Sequence, residues 1–320
     1  MLSKGCILCR EGAKMVLFIT GRCMRDCWYC PISTERRGRD APYANEQQIS
    51  SPDEMIEIAE TMDALGTGVT GGEPMIVPDR VIDYCTRLKQ HFGAEHHIHL
   101  YTGIALTREE LERLRGIVDE IRFHPPQEIW PVIMKSEFTR AIEDARDLGF
   151  AVGIEVPSLP HLSDLEPVLP LLDFLNINEL EWSETNADAM RQKGMEFEDN
   201  FHNAVRGAAE WARTIRRDPR VRWCSSAFKD SVQLRERLKR IAQNTARPFD
   251  EITEDGTVVY GVIEPAIPLP GIDPGMFDVC GDHIEIAWWV LAGERESIPG
   301  KKYIVERYPN GGMVVEVMPL

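Results

Sequence analysis

Residues 15–30 read Met15-Val16-Leu17-Phe18-Ile19-Thr20-Gly21-Arg22-Cys23-Met24-Arg25-Asp26-Cys27-Trp28-Tyr29-Cys30, and this stretch decides the fold. Its first six residues form a short apolar run of the kind that makes a buried strand. Gly21 ends the run. Three thiols follow within eight residues, spaced CxxxCxxC. They therefore belong to a loop at the C-terminal end of a first strand. Three thiolates on one loop can hold three irons of a cubane cluster and leave the fourth open to an exogenous ligand.

A second motif lies further along. Gly68-Val69 leads into Thr70-Gly71-Gly72-Glu73-Pro74 at the end of a second short strand, 67–70. Two glycines let the backbone approach a ligand closely. Glu73 can accept from an ammonium, and Pro74 stiffens the turn. CxxxCxxC with Tyr29 just before the last cysteine, followed by Gly-Gly-Glu-Pro, resembles the radical S-adenosylmethionine (SAM) superfamily. The resemblance covers residues 15–225. It implies a [4Fe-4S] cluster on Cys23, Cys27 and Cys30, with SAM on the open iron. It places Tyr29, Gly71, Gly72, Glu73, Pro74, Thr102 and Arg122 beside SAM. A one-electron reductant of ferredoxin or flavodoxin type would drive SAM cleavage to a 5′-deoxyadenosyl radical, which takes hydrogen from a substrate. Within the superfamily the chain looks nearest to an archaeal-type group related to glycyl-radical activating enzymes. The fifth strand departs from the family pattern, carrying Gly149-x-Ala151-x-Gly153-x-x-Val156.

Bulk properties narrow the partners. The chain has 320 residues and a net charge of −16, which argues against a general polyanion binder. Arg36-Arg37-Gly38-Arg39 and the arginines between Arg213 and Arg222 read as solvated faces. A radical SAM enzyme that modifies RNA would need them gathered on one rim. No apolar run approaches the ~20 residues of a membrane span, and the N-terminus lacks a signal-peptide core, so the expected location is cytoplasmic. Eight cysteines in such a chain point to metal or catalysis rather than disulfides.

Further cysteines invite a second site. Cys6-Ile7-Leu8-Cys9, bounded by Gly5 and Gly12, has the spacing of a metal knuckle. Cys224, at the end of a further strand, is a candidate third ligand, and Cys280 a fourth, for a second iron–sulfur cluster or zinc. A rival arrangement joins Cys6, Cys9, Cys27 and Cys30 in a zinc ribbon, with 17 residues between the pairs. That binding module would leave Cys23 and the Gly-Gly-Glu-Pro turn without a role. His97 and His99 share a strand face, with His96 on the other. They and Cys85 read as core.

Six strand–helix steps predict an α/β fold, an open partial (β/α)6 barrel with parallel strands. The expected divisions are an N-terminal cysteine-containing extension at 1–14, the barrel at 15–244 and a small α+β appendage at 245–320. The pattern also predicts a long helix at 197–216 and a helix at 229–243 with Leu234, Leu238 and Ile241 inward. It places a helix at 282–296 and a hairpin around Pro309-Asn310-Gly311-Gly312. Asn178, Glu179, Glu181 and Glu184 cluster at the rim of the sixth strand, which suits a small polar metabolite, a cofactor precursor or a peptide.

Overall fold

The computed structural model describes residues 2–320, and they form two compact units. The first comprises the residues through Arg10, Lys14–Glu60 and Ala64–Val232. The second comprises Glu11–Ala13, Thr61–Asp63 and Gln233–Leu320.

The first unit is built on a nine-stranded sheet. Seven strands run parallel and in chain order: β1 (Lys14–Phe18), β2 (Gly66–Thr70), β3 (His97–Thr102), β4 (Glu120–Phe123), β5 (Ala151–Pro157), β6 (Phe174–Asn178) and β7 (Val221–Cys224). Two short antiparallel strands, Tyr43–Ala44 and Gln47–Gln48, extend the β1 edge. Helices α2 (Pro52–Thr61), α3 (Pro78–Phe92), α4 (Arg108–Leu114) and α5 (Glu137–Asp147) lie on the crossovers. Proline opens α2 and α3, where its missing N–H costs nothing. Thr107 and Glu110 form a reciprocal capping box on α4. The α3 stripe buries Val81, Tyr84, Cys85 and Leu88. Pro167 and Pro170 keep Leu162–Leu171 from becoming an α-helix.

The partial barrel thus has one parallel strand more than six. β7 is short and half-buried throughout, so it gives little alternation to read. The expected helix at 197–216 does not form. The chain makes short turns there, Ala208–Trp211 and Ile215–Arg217, after a helix at Ala187–Gln192. Asp199 accepts from the backbone N–H of Phe201 and His202, and Gly207 takes φ +85°. Both local choices compete with a continuous helix.

Helix α1 (Lys4–Arg10) packs on β1, β2 and β3. It covers the sheet face opposite to α5, which meets β4 through the Phe123–Phe138 ring contact. A Cβ at Gly5 would lie 2.5 Å from Arg122 Nη2 and 2.6 Å from His99 Nδ1. Gly5→Ala is expected to cost about 1–3 kcal/mol by overpacking, read as a lowered urea midpoint at unchanged slope.

The second unit carries α6 (Arg235–Thr245) and an antiparallel sheet. Its main strands are β8 (Val258–Glu264), β9 (Phe277–Cys280), β10 (His283–Ile286), β11 (Lys301–Arg307) and β12 (Val314–Pro319), in spatial order β9-β10-β8-β11-β12. The hairpin expected around Pro309–Gly312 is β11–β12. The expected helix at 282–296 is instead strand β10 followed by α7 (Trp288–Gly293). Ile284 and Ile286 are buried while His283 and Glu285 are not, which is a period of two. Ile263, Ile284, Ile286, Leu291 and Ile298 make the core. Leu234, expected inward, is 36% exposed at the end of a wide turn that precedes α6. Among the described residues no helix is long and apolar enough to cross a membrane.

Candidate functional site

The cysteine loop leaves β1 at Thr20 and is anchored at several points. All three thiols are unpaired. Cys23 is exposed, and Cys27 and Cys30 are half-buried. Cys23 Sγ accepts from the Arg25 N–H at 3.4 Å, and Cys30 N–H donates to Cys27 O at 3.0 Å. The Arg25 guanidinium reaches across the rim to Gly103 O and His124 O, at 3.3 and 2.7 Å. Asn186 donates to Tyr29 O at 3.2 Å, and Thr185 to Cys30 O at 3.0 Å.

His124 fixes the aromatic of the motif. Its Nδ1 lies 2.8 Å from Glu155 O, a group that only accepts. Nδ1 therefore carries the proton, and Nε2 accepts from Tyr29 Oη at 3.0 Å. Burial, reinforced by the Arg25 charge, pushes His124 down to about 4, so it is neutral at pH 7.

The Gly-Gly-Glu-Pro turn is bonded to the cysteine loop by the backbone itself. Gly72 N–H donates to Thr20 O at 2.7 Å and Glu73 N–H to Arg22 O at 2.8 Å. A Cβ on Gly71 would sit 2.6 Å from Thr20 O, and one on Gly72 2.3 Å from Arg22 O. Sequence reasoning assigns these glycines to a ligand approach. The close neighbour in the structure is the chain's own cysteine loop. Glu73 is 3% exposed. Its Oε1 accepts from Met75 N–H and Thr102 Oγ1, and its Oε2 from Gly103 N–H at 2.6 Å. Burial pushes its carboxyl above the ordinary value, against those hydrogen bonds and Arg25. Gly72→Ala is expected to part the two motifs, because the obstacle is a backbone oxygen. Overpacking of this kind costs about 1–3 kcal/mol, and a lowered urea midpoint checks it.

Arg122 does not sit at the rim. It is 2% exposed on the inner face of the sheet, and its donors are committed. Nε bonds Glu120 Oε1 at 2.6 Å, and Nη1 bonds Glu155 Oε2 at 2.7 Å and Tyr101 Oη at 3.0 Å. Nη2 bonds Ser3 Oγ at 3.0 Å and approaches Cys6 Sγ at 3.7 Å. Asn176 and Asn178 donate to the two Glu155 oxygens, each at 2.9 Å. Burial alone would raise the Glu155 carboxyl. Arg122, both amides and Lys14 outweigh it and hold it below the ordinary glutamate value. Of the rim acids, Glu179 accepts from Ser226 N–H, Glu181 pairs with Lys229, and Glu184 accepts from Thr34.

Of the remaining cysteines, Cys85 is core on α3, as its helical stripe predicts, and the other candidate ligands separate into two places. Cys6 and Cys9 lie on α1 against the inner face, where Asn176 Nδ2 stands 3.2 Å from Cys6 Sγ. Cys224 ends β7. Burial raises its thiol to about 11, and Glu155, Cys9 and Cys6 act on it in the same sense. Cys280 belongs to the second unit, beside His283 and Glu285. The zinc-ribbon set is not assembled. Among the described residues no three of Cys6, Cys9, Cys27 and Cys30 have their sulfurs within 4.8 Å of one another, as ligands of one ion would be. Sequence reasoning missed Arg25, Thr185, Asn186 and the anchoring role of His124. No local signal marks them, since their partners lie far off in the chain.

The donor chemistry of the rim, three unpaired thiols on one anchored loop, suits iron. A radical SAM superfamily profile matches residues 17–175, and one described as Domain of unknown function (DUF8061) matches 256–320. A Methanocaldococcus jannaschii protein, provisionally named a glycyl-radical enzyme activating enzyme, is 36% identical over 277 residues, covering 82% of this chain and 73% of that protein. Two solved structures are more distant. The radical SAM methyltransferase TsrM from Kitasatospora setae, with cobalamin and a [4Fe-4S] cluster bound, gives a TM-score of 0.41 at 10% identity, covering 60% of this chain and 43% of that one. Streptococcus suis SuiB bound to SAM gives 0.43 at 9% identity, covering 67% and 50%. The chain thus spans about half the length or less of these solved proteins. On the profile and the 36% identical relative, the chain belongs to the radical SAM superfamily, enzymes whose cofactors are a [4Fe-4S] cluster and SAM.

Proposed function

We propose that Cys23, Cys27 and Cys30 hold the cluster, and that SAM binds against Tyr29, the Gly71-Gly72-Glu73-Pro74 turn and Thr102. The observation that carries this reading is the pair of backbone bonds from Gly72 and Glu73 to Thr20 and Arg22. They bring an anionic turn to the base of the thiol loop. The bound cofactors supply a one-electron route to a hydrogen-abstracting radical. The chain's own residues do the positioning. Arg25 ties the loop to the ends of β3 and β4. The neutral Tyr29–His124 pair fills the rim without adding a charge. In this reading the first compact unit, which runs to Val232, is the catalytic barrel, and the unit from Gln233 onward, α6 included, is the appendage, so the boundary falls before the expected 244/245.

The substrate we favour is a small polar molecule or peptide. The polar residues at and beyond the rim end of β6, Asn178, Glu179, Glu181 and Glu184, support this class. A second reading, a protein glycine as hydrogen donor, is favoured by the name of the 36% identical relative. A ferredoxin or flavodoxin type of reductant would serve either. Cys6, Cys9 and Cys224 are the candidates for an auxiliary cluster.

Anaerobic reconstitution with iron and sulfide, followed by dithionite and SAM, tests the reading by chromatography of the nucleoside products. Formation of 5′-deoxyadenosine is expected, with deuterium entering it from a labelled true substrate. A reconstituted cluster that never cleaves SAM would sink the reading. A persistent protein radical after incubation with a partner protein would select the second substrate class.

Glu73 gives a pH signature. Its carboxyl value is raised above 4.5, so SAM affinity is expected to fall on acidification before an ordinary glutamate would protonate. The sign for stability is opposite. A raised folded value means that the folded state takes up this proton more readily than the unfolded one, so acid does not weaken the fold through this group. Affinity lost with the denaturation midpoint unchanged is the expected pattern.

A further inference from the structure

The β9–β10 hairpin of the second unit presents a sulfur, an imidazole and a carboxylate on one face, and we propose that Cys280, His283 and Glu285 bind a zinc-type divalent ion there. The sequence Cys280-Gly281-Asp282-His283-Ile284-Glu285 makes the site through pairing. Cys280 is directly opposite His283 in the antiparallel register, and Glu285 follows His283 by two, on the same face. Gly281 takes φ +66° in the two-residue connection, a value that other residues rarely adopt. One ligand atom from each of the three lies within 4.8 Å of the other two. Tetrahedral zinc places such ligand atoms about 3.3–3.8 Å apart, and His283 Nε2 already stands 3.6 Å from Glu285 Oε1.

The outer groups orient these ligands. Arg247 Nη1 holds Glu285 Oε2, which leaves Oε1 toward the histidine. Asp250 takes the other arm of Arg247 at 2.8 Å, so much of that positive charge is answered. Asp282 Oδ1 lies 3.4 Å from His283 Nδ1. A proton on Nδ1 turns the Nε2 lone pair toward the site, as carboxylate–histidine pairs do around metals. The mixed sulfur, nitrogen and oxygen set suits a borderline ion such as zinc rather than calcium or magnesium. Three protein ligands leave one position free. His283 and Glu285 also line a cavity of about 310 Å³ with Tyr260, Tyr303, Val314 and Val317. That position is where a small ligand with an oxygen or sulfur donor would bind.

The test uses the full chain, reconstituted with iron, then equilibrated with zinc and passed over a weak chelating resin. Elemental analysis is expected to find one zinc per chain fewer in Cys280→Ser and in His283→Gln than in the parent, with iron unchanged. Val279→Ser, whose side chain points to the other face and is 64% exposed, is expected to keep the zinc. Asp282→Asn is expected to weaken Co²⁺ binding about tenfold, read from the thiolate-to-cobalt absorption. Equal zinc in parent and Cys280→Ser overturns the proposal, as does a cobalt–thiolate band of the same intensity in the two proteins. Neither outcome bears on the rim cysteines, because iron content and SAM cleavage are read separately.

Discussion

Cys23→Ala is expected to lose SAM cleavage completely while leaving the fold intact. Cys23 is exposed and accepts only a long 3.4 Å contact from Arg25 N–H. A surface change of this kind costs no more than about 0.5 kcal/mol. The chemical cost is total, because a loop with two thiols cannot hold three irons. Circular dichroism and the urea midpoint should match the parent, and 5′-deoxyadenosine should fall to the no-enzyme background. Iron that remains in Cys23→Ala and is lost when Cys6 and Cys9 are replaced as well would then report the proposed auxiliary site. Residual SAM cleavage in Cys23→Ala would contradict the assignment of the cluster to this loop.

The second large effect concerns stability. Arg122→Met removes the cation between two carboxylates on the inner face, where Glu120 is 1% exposed. Breaking a buried pair from one side costs about 3–5 kcal/mol, since it strands the other charge. Ser3, Tyr101 and Cys6 lose a donor at the same time. The pH dependence follows from Glu155. In the parent its value is lowered. It therefore stabilises the fold above the unfolded-state value, and that contribution fades as pH falls through the lower folded one. Without Arg122 the burial effect is no longer outweighed, and the folded value rises. Acid then favours the variant relative to neutral pH. Urea titrations at neutral and mildly acidic pH should show a large deficit that narrows on acidification. An unchanged midpoint would contradict the network described here.

Much of the barrel is legible because parallel strands covered on both faces are apolar runs of fixed length. Met15 and Leu17 of β1, and Ile98 and Leu100 of β3, are fully buried, and each run ends at the turn that carries a motif residue. The inner face was harder to read. Glu120, Arg122 and Glu155 alternate with Ile121, Phe123 and Ile154, a pattern that in isolation describes a half-solvated strand. That alternation is why Arg122 reads as a rim residue until Glu120 and Glu155 are seen on either side of it. The stretch 197–216 carries helical periodicity that the Asp199 and Gly207 turns override. Around 282–296, Ile284, Ala287, Trp288 and Leu291 mimic a helical stripe across a strand–helix junction. The grouping of Cys280 with His283 depends on hairpin register, which no cysteine spacing rule encodes. Arg25 and Asn186 are illegible for a related reason, since each acts through a partner at least 78 residues away.

The most direct measurement is the electron paramagnetic resonance spectrum of the reduced, reconstituted protein with and without SAM. The account predicts a [4Fe-4S]⁺ signal whose shape changes on adding SAM, with the change lost in Cys23→Ala. A cluster signal indifferent to SAM would contradict it, as would a SAM-dependent change that persists in Cys23→Ala.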